Sequence, residues 1–216
     1  AGDWDGAVGQ RQPGSLRLAV WKDFVLDGLE EPVARAFARV LETLGSKGAA
    51  LADVAFPELA DIPKINTRGG ILAAEAWQHH RGRIAARGEA YDPRVRSRMA
   101  AADATSAADY LDQLQRRRAL IGLFAARMAG FDAVLMPTTP NVAPRISDFS
   151  VDADYTRLNV MALRNTSVGN FLKGCAVSIP MHWEGEAPCG LMLLSSWGDD
   201  ARLFAVAQAV ERCLGG

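Results

Sequence analysis

The sequence predicts an α/β protein, a mixed β-sheet flanked by helices, on three observations. Within the first 57 residues a short apolar run, a helical stripe and a second apolar run follow one another, which is the order of an α/β unit rather than of a helical bundle. Further apolar runs at 133–136, 176–179 and 190–194 are too short for core helices and suit buried strands. The long segments between them carry apolar residues at three- and four-residue steps, as amphipathic helices do.

Residues 1–15 are rich in Gly, Gln and Pro and are expected to form an irregular arm. Leu16-Arg-Leu-Ala-Val20, bounded by Pro13 and Gly14, reads as a buried strand. Val33, Phe37, Val40, Leu41 and Leu44 mark a helix that stops near Gly45 and Gly48, and residues 49–56 form a second strand closed by Pro57. Residues 69–87 lack proline and read as a helix with Leu72, Ala76 and His80 on a shared face. Pro93 starts a further short helix from a first-turn position. Ser106 and Asp109 form a capping arrangement ahead of a helix striped by Tyr110, Leu114, Ile121, Ala125 and Met128 that ends at Gly130. The strand at 133–136 runs into Pro137, and 137–144 is a proline-stiffened loop, placed where α/β proteins carry their sites. Residues 154–167 are expected to be helical, and the strands at 176–179 and 190–194 to pair as a hairpin across 181–189. The last helix covers 200–213, with Asp199 and Asp200 at its positive end and Leu203, Val206, Ala207, Val210 and Leu214 facing inward.

Composition narrows the function classes. Twenty-four basic residues against twenty-five acidic ones leave a net charge of -1, so no global field recruits nucleic acid or an anionic membrane. No apolar run approaches the roughly 18 residues of a membrane span. Cys175, Cys189 and Cys213 are odd in number and widely spaced, which fits reduced core thiols rather than a zinc ribbon or a disulfide scaffold. The chain opens at Ala1 without an initiator Met or a signal-peptide pattern, so the start is expected to be internal or processed and the location cytoplasmic.

Few residues carry chemistry by themselves. His79 and His80 are adjacent and point about 100° apart on a helix; Glu75 shares the face of His79, which makes a pair and not a metal site. A gluzincin motif, a Walker loop and a Gly-x-Ser-x-Gly elbow are absent, and Gly6-Ala-Val-Gly9 lacks a strand-to-helix context. No metal or cofactor is expected.

The second half carries three ordered motifs. Asp132-Ala-Val-Leu-Met-Pro-Thr-Thr-Pro140 is followed by Ala143-Pro144; Asn170 precedes Ala176-Val-Ser-Ile-Pro180; Pro188-Cys-Gly-Leu-Met-Leu-Leu194 precedes Asp200, Leu203, Ala207 and Glu211. Upstream stand Tyr91-Asp-Pro93, Arg98, Ser106, Tyr110 and Arg117 or Arg118. Together these resemble the C-terminal half of the amidase signature family, from the strand that follows its catalytic core to its end, over essentially residues 16–214. Two stretches depart from the family pattern. Lys173-Gly174-Cys175 replaces a Gly-Leu-Pro stretch, and Trp183-Glu184 occupies the usual glycine turn.

The resemblance implies the C-terminal part of the amidase signature fold, with 1–15 as an arm and 16–216 as the domain portion. It also implies hydrolysis of an amide carbon–nitrogen bond by a serine nucleophile, a second serine in a cis peptide and a lysine. Ser195, Ser196 and Ser46 lack glycines on both flanks and a partner lysine at plausible spacing, so the catalytic residues are expected outside this chain, and the chain alone is expected to be inactive. What remains is scaffold and pocket wall, with Pro137, Thr138, Thr139, Asn170 and Arg98 as candidate substrate contacts. Arg98 matches a position that holds a substrate carboxylate in the glutamine-using members that amidate tRNA, as an arginine fork can; the alternative is a surface helix arginine. Those members have an acidic residue seven positions before the motif asparagine, where this chain has Leu163, which favours a general amidase over a glutamine-specific one. Asn165 and Asn170 are also read as amides that brace backbone. The expected partners are a small-molecule amide in the parent enzyme, and the missing N-terminal part or a second copy against an apolar face too large to leave in water. The alternative is a non-catalytic chain that binds or scaffolds a partner subunit.

Overall fold

The computed structural model describes residues 11–215. The first ten residues of the expected arm, with Gly6 and Gly9, lie outside the described residues. The chain divides into two compact units, one made of the residues up to Leu59 and from Phe124 on, the other of Ala60–Leu123.

The first unit is built on a five-stranded mixed sheet in the order β2-β1-β3-β5-β4. Its elements are β1 (Arg17–Val20), α1 (Glu31–Ser46) and β2 (Ala50–Asp53). After the second unit come β3 (Ala133–Pro137), α6 (Asp152–Phe171), β4 (Cys175–Pro180), β5 (Gly190–Ser195) and α7 (Asp200–Leu214). β1 lies parallel to β2 and β3, while β5 is antiparallel to β3 and β4. The expected hairpin across 181–189 is thus the β4–β5 pair. In the second unit, α2 (Ile62–Ile65), α3 (Gly70–Arg87) and α4 (Pro93–Ala100) precede α5 (Ala107–Met128), whose last five residues belong to the first unit.

Alternation along the strands sends Leu18, Val20, Ala133, Leu135, Leu191 and Leu193 to one face, where Val33, Phe37 and Val40 of α1 and Leu203, Val206 and Val210 of α7 bury them. Ala19, Val134, Met136 and Leu194 point the other way and are buried as well. Burial on both faces is why the central strands read as unbroken apolar runs. On this second face Trp21 packs edge-on against Phe56 and Phe124, with centroids 5.3 Å and 5.6 Å apart. The three cysteines are free, and Cys189 and Cys213 are buried.

Four expectations shift. β2 stops at Asp53 rather than continuing to Phe56, because the Phe56 N–H turns to the Asp23 carboxylate (2.8 Å) while its ring packs on Trp21. The buried side of α5 is Gln113, Leu120, Phe124 and Met128, not the stripe through Ala125, which is exposed. The cause is Phe124, whose place against Trp21 fixes the rotation of that end of the helix. In α3, Ile71 and Ala73 are buried and Leu72 is 79% exposed, while His80 Nδ1 lies 2.9 Å from the Tyr91 hydroxyl. α6 is longer than its motif suggests, reaching Phe171.

The Lys173-Gly174-Cys175 departure still makes the turn into β4. Lys173 adopts a left-handed φ of 56° and places its ammonium 4.1 Å over the Trp197 ring. Gly174 follows where a Cβ would stand 2.6 Å from Leu194 Cδ1 and 2.7 Å from the Ser195 carbonyl oxygen. Gly174→Ala is therefore expected to lower stability by about 1–3 kcal/mol in urea denaturation. Beside the Trp21 cluster, Arg127 donates to both carboxylate oxygens of Glu58 at 2.5 Å and 2.7 Å. This hydrogen-bonded guanidinium lowers the Glu58 pKa from the usual 4.5 to about 2. A carboxylate depressed on folding contributes stability above its unfolded value and loses it as pH falls through the folded one. Between pH 4.5 and 2 the protein should lose about 1 kcal/mol more stability than Glu58→Gln, an amount reduced by solvent screening of the partly exposed pair. Equal acid slopes would contradict it.

Candidate functional site

The loops after β1 and β3 leave the same edge of the sheet, because the two strands are parallel neighbours. Both loops are tied down. Glu30 donates its N–H to the Pro140 carbonyl (2.9 Å) and accepts at Oε2 from the Val142 N–H (3.0 Å). Asn165, on α6 and fully buried, donates from Nδ2 to the carbonyl oxygens of Pro137 (2.8 Å) and Val25 (3.0 Å). Its Oδ1 accepts from Arg164 Nε at 3.1 Å, and the Arg164 guanidinium also donates to the carbonyls of Val25 and Asp27. The reading of Asn165 as a brace for backbone holds. Phe24, between these anchors, sits at a left-handed φ of 63° under the Arg164 guanidinium, a conformation that persists only where its surroundings hold it.

At the end of β3 the Thr138 N–H donates to the Gly190 carbonyl (2.7 Å), and Thr138 Oγ1 lies 2.6 Å from Ser178 Oγ. The hydroxyl pair depends on Gly190, since a Cβ there would stand 2.5 Å from Ser178 Oγ and 2.9 Å from Thr138 Oγ1. Thr138, Thr139, Ser178, Pro180, His182 and Gly190 line an open hollow of about 320 Å³. The His182 Nδ1 lies 3.2 Å from the carbonyl oxygen and 3.3 Å from the amide nitrogen of Cys189, so the ring tautomer decides which of the two it pairs with, and burial pushes the Cys189 thiol up, so it stays protonated at neutral pH. Among the described residues, no carboxylate, lysine or arginine lines the hollow. Its polar groups are hydroxyls and an imidazole, which suit a neutral polar group such as a carboxamide.

The 181–189 loop that carries His182 is pinned to α1. Arg39 forks onto both oxygens of Glu186 (2.9 Å and 2.5 Å) and stacks 4.0 Å over the Trp183 ring, while the Trp183 N–H donates to Glu186 Oε2 at 2.9 Å. The Arg39 hydrogen bonds hold the Glu186 carboxyl below the usual range. Trp183, which departs from the family's glycine turn, is thus one face of an ion-pair anchor.

Of the candidate residues, Pro137, Thr138 and Thr139 come together. Pro137 is buried with its carbonyl clamped, Thr138 and Thr139 line the hollow, and Thr139 Oγ1 donates to the Asn141 carbonyl at 2.9 Å. Asn170 is exposed in the last turn of α6 and does not line the hollow. Arg98 belongs to the second unit, exposed in the last turn of α4, where a cation favours the helix dipole. Ser178, His182 and Gly190 are not among the candidates that the sequence points to. The available signal is Ser178 at two-residue spacing from Ala176 and Pro180, the exposed side of an edge strand. Among the described residues no lysine is hydrogen-bonded to a serine, and Ser195 Oγ donates to Asp199 at 3.0 Å. His79 and Glu75 are exposed, and the described residues hold no cluster able to ligate a metal. No described helix is long and apolar enough to cross a membrane.

Asn165→Ala leaves the buried Pro137 carbonyl without its donor, while Arg164 still serves Val25, and is expected to cost about 1–3 kcal/mol, measured as a lower urea midpoint. A cost under about 1 kcal/mol would show that the loops hold without it.

Comparison with known proteins places this architecture. A family model described as Amidase matches residues 7–204. A 2-amino-5-chloromuconic acid deaminase of Comamonas testosteroni is 30% identical over 205 residues, covering 93% of this chain and 44% of that protein. An Amidase of Pseudomonas putida is 32% identical over 159 residues, covering 72% of this chain and 34% of that enzyme. In fold, an allophanate hydrolase of Kluyveromyces lactis superposes with a TM-score of 0.82 at 19% identity, over 96% of this chain and 34% of its own. The chain thus spans less than half the length of these relatives, and it belongs to the amidase family.

Proposed function

We propose that this chain supplies the scaffold and part of the substrate wall of an enzyme that hydrolyses an amide carbon–nitrogen bond, releasing ammonia or an amine. In this reading the serine nucleophile, the cis-peptide serine and the lysine lie beyond the chain. The observation that carries it is the uncharged hollow at the carboxyl end of β3, where the Thr138–Ser178 hydroxyl pair offers both a donor and acceptors to an amide group. The share of the relatives' length that the chain covers supports it too. The chemistry the resemblance implies is attack of the serine oxygen on the amide carbon, its proton passing through the bridging serine to a neutral lysine while backbone N–H groups hold the oxyanion; that proton returns to the departing nitrogen as the C–N bond breaks, and water then hydrolyses the acyl-serine to the acid and the free serine. The part assigned to this chain is to orient the amide while those groups act. A glutamine-specific version is less well supported, because Leu163 stands half exposed where an acid is expected.

Ile146, Val151, Val160 and Leu163 are exposed apolar residues of the first unit, on α6 and the segment before it. They favour the second element of the proposal, that this side is covered by the rest of the enzyme or by another copy. Sedimentation of the chain should show concentration-dependent association, and a strictly monomeric profile would count against it.

The functional reading predicts no ammonia release by the 216-residue chain from a panel of simple amides. In the full-length enzyme, Thr138→Val and Ser178→Ala should each raise KM about fivefold with a smaller change in kcat, as loss of one hydrogen bond to bound substrate does. Ammonia from the chain alone would overturn the placement of the nucleophile. Unchanged KM in both variants would remove the hollow from the substrate wall.

A further inference from the structure

A second cavity lies wholly within the Ala60–Leu123 unit. It is a groove of about 800 Å³ between α3 and the segment that runs from the 3-10 turn Ala101–Ala104 into α5, a size typical of small-molecule sites. Its lining combines an exposed apolar surface, the rings of Trp77 and Tyr110, two carboxylates, the His79 imidazole and the Arg81 guanidinium. Leu72 is 79% exposed, which removes it from the packing role its helical spacing suggests. The Trp77 Nε1–H donates to Asp103 Oδ1 at 2.8 Å, and the Tyr110 hydroxyl donates to Glu75 Oε1 at 3.3 Å. Each ring is thereby locked by its polar edge to an acid, and both acids remain exposed. Burial, with the neighbouring Glu75 charge, pushes the Tyr110 phenol up, so it stays a donor at neutral pH.

Charge decides what this lining can hold. The carboxylates of Glu75 and Asp103 adjoin the two rings, while the lining also holds the His79 imidazole and the Arg81 guanidinium, six residues beyond Glu75 along α3, and the Arg117 charge acts on Tyr110. Arg68, just before the start of the same helix, is already paired with Asp109 at 3.3 Å. Aromatic faces beside carboxylates attract a cation and repel an anion. We propose that this groove binds an organic ammonium ion, its charged head against Glu75 and Asp103 and its apolar body on Leu72 and the Trp77 ring. This site is independent of the hollow beside β3 and does not require the amide-hydrolysis reading.

The test uses the 216-residue chain and three probes of similar shape, phenethylammonium, 2-phenylethanol and 3-phenylpropionate. Calorimetry should give saturable binding of phenethylammonium at least about tenfold tighter than either other probe. The Trp77 indole N–H resonance, assigned through Trp77→Leu, should shift on the same titration curve. Glu75→Gln and Asp103→Asn should each weaken binding about fivefold or more with an unchanged circular dichroism spectrum. If either variant fails to fold, Arg81→Ala serves instead and should tighten binding. Equal affinity for the three probes, preference for the anion, an unmoved Trp77 resonance at saturation, or affinity unaltered by folded Glu75, Asp103 and Arg81 variants would each overturn the proposal.

Discussion

Two backbone carbonyls, those of Val25 and Pro137, end up buried where parallel strands leave the sheet, and the Asn165 carboxamide satisfies both at once. A buried carbonyl left without a donor costs about 1–3 kcal/mol, so the strand ends and α6 are constrained jointly. Several features follow from this one amide. The Pro137 carbonyl cannot rotate, which fixes where Thr138 emerges and lets its N–H extend the ladder to Gly190. Arg164, adjacent on α6, adds its guanidinium to the same carbonyl of Val25 and spans the turn that holds Phe24 in a left-handed conformation. The wall of the hollow is rigid because its backbone is held from behind, away from any ligand.

The opposite side of the hollow depends on a different long-range contact. Arg39 and Glu186 are 147 residues apart in sequence, yet their bidentate pair sets the 181–189 loop against α1 and so positions His182. Between the two sides, Gly190 keeps the strands close enough for the hydroxyls of Thr138 and Ser178 to touch. An amide clamp, an ion pair and a missing side chain thus shape a pocket wall of neutral groups.

Much of the fold was legible from periodicity and from proline and glycine placement. α1, α7 and the β4–β5 hairpin follow directly from the spacing of Val33, Phe37 and Val40, of Leu203, Val206 and Val210, and from the two apolar runs around 181–189. The loop after β3 and the bracing role of Asn165 were legible too. What escaped depends on contacts between distant residues. The rotation of α5 is set by Phe124 meeting Trp21, and the early end of β2 by Phe56 turning to the same ring. Ser178 and His182 join the site only through the register of β4 on β5 and the anchoring of Glu186, neither of which leaves a local pattern. Leu72 has helical spacing suited to packing but lines a groove instead, and only the burial of its neighbours Ile71 and Ala73 reveals it.

Native-state hydrogen exchange in wild type and Asn165→Ala reads out whether Asn165 holds the strand-exit loops as a fixed wall. The reporters are the amides of Glu30, Thr138 and Val142, which donate to Pro140, Gly190 and Glu30 respectively. These three should exchange at least about tenfold faster in the variant relative to amides in the middle of α1, the signature of local opening. If exchange accelerates equally at the three reporters and in α1, the amide contributes only to global stability and the wall is not held by it.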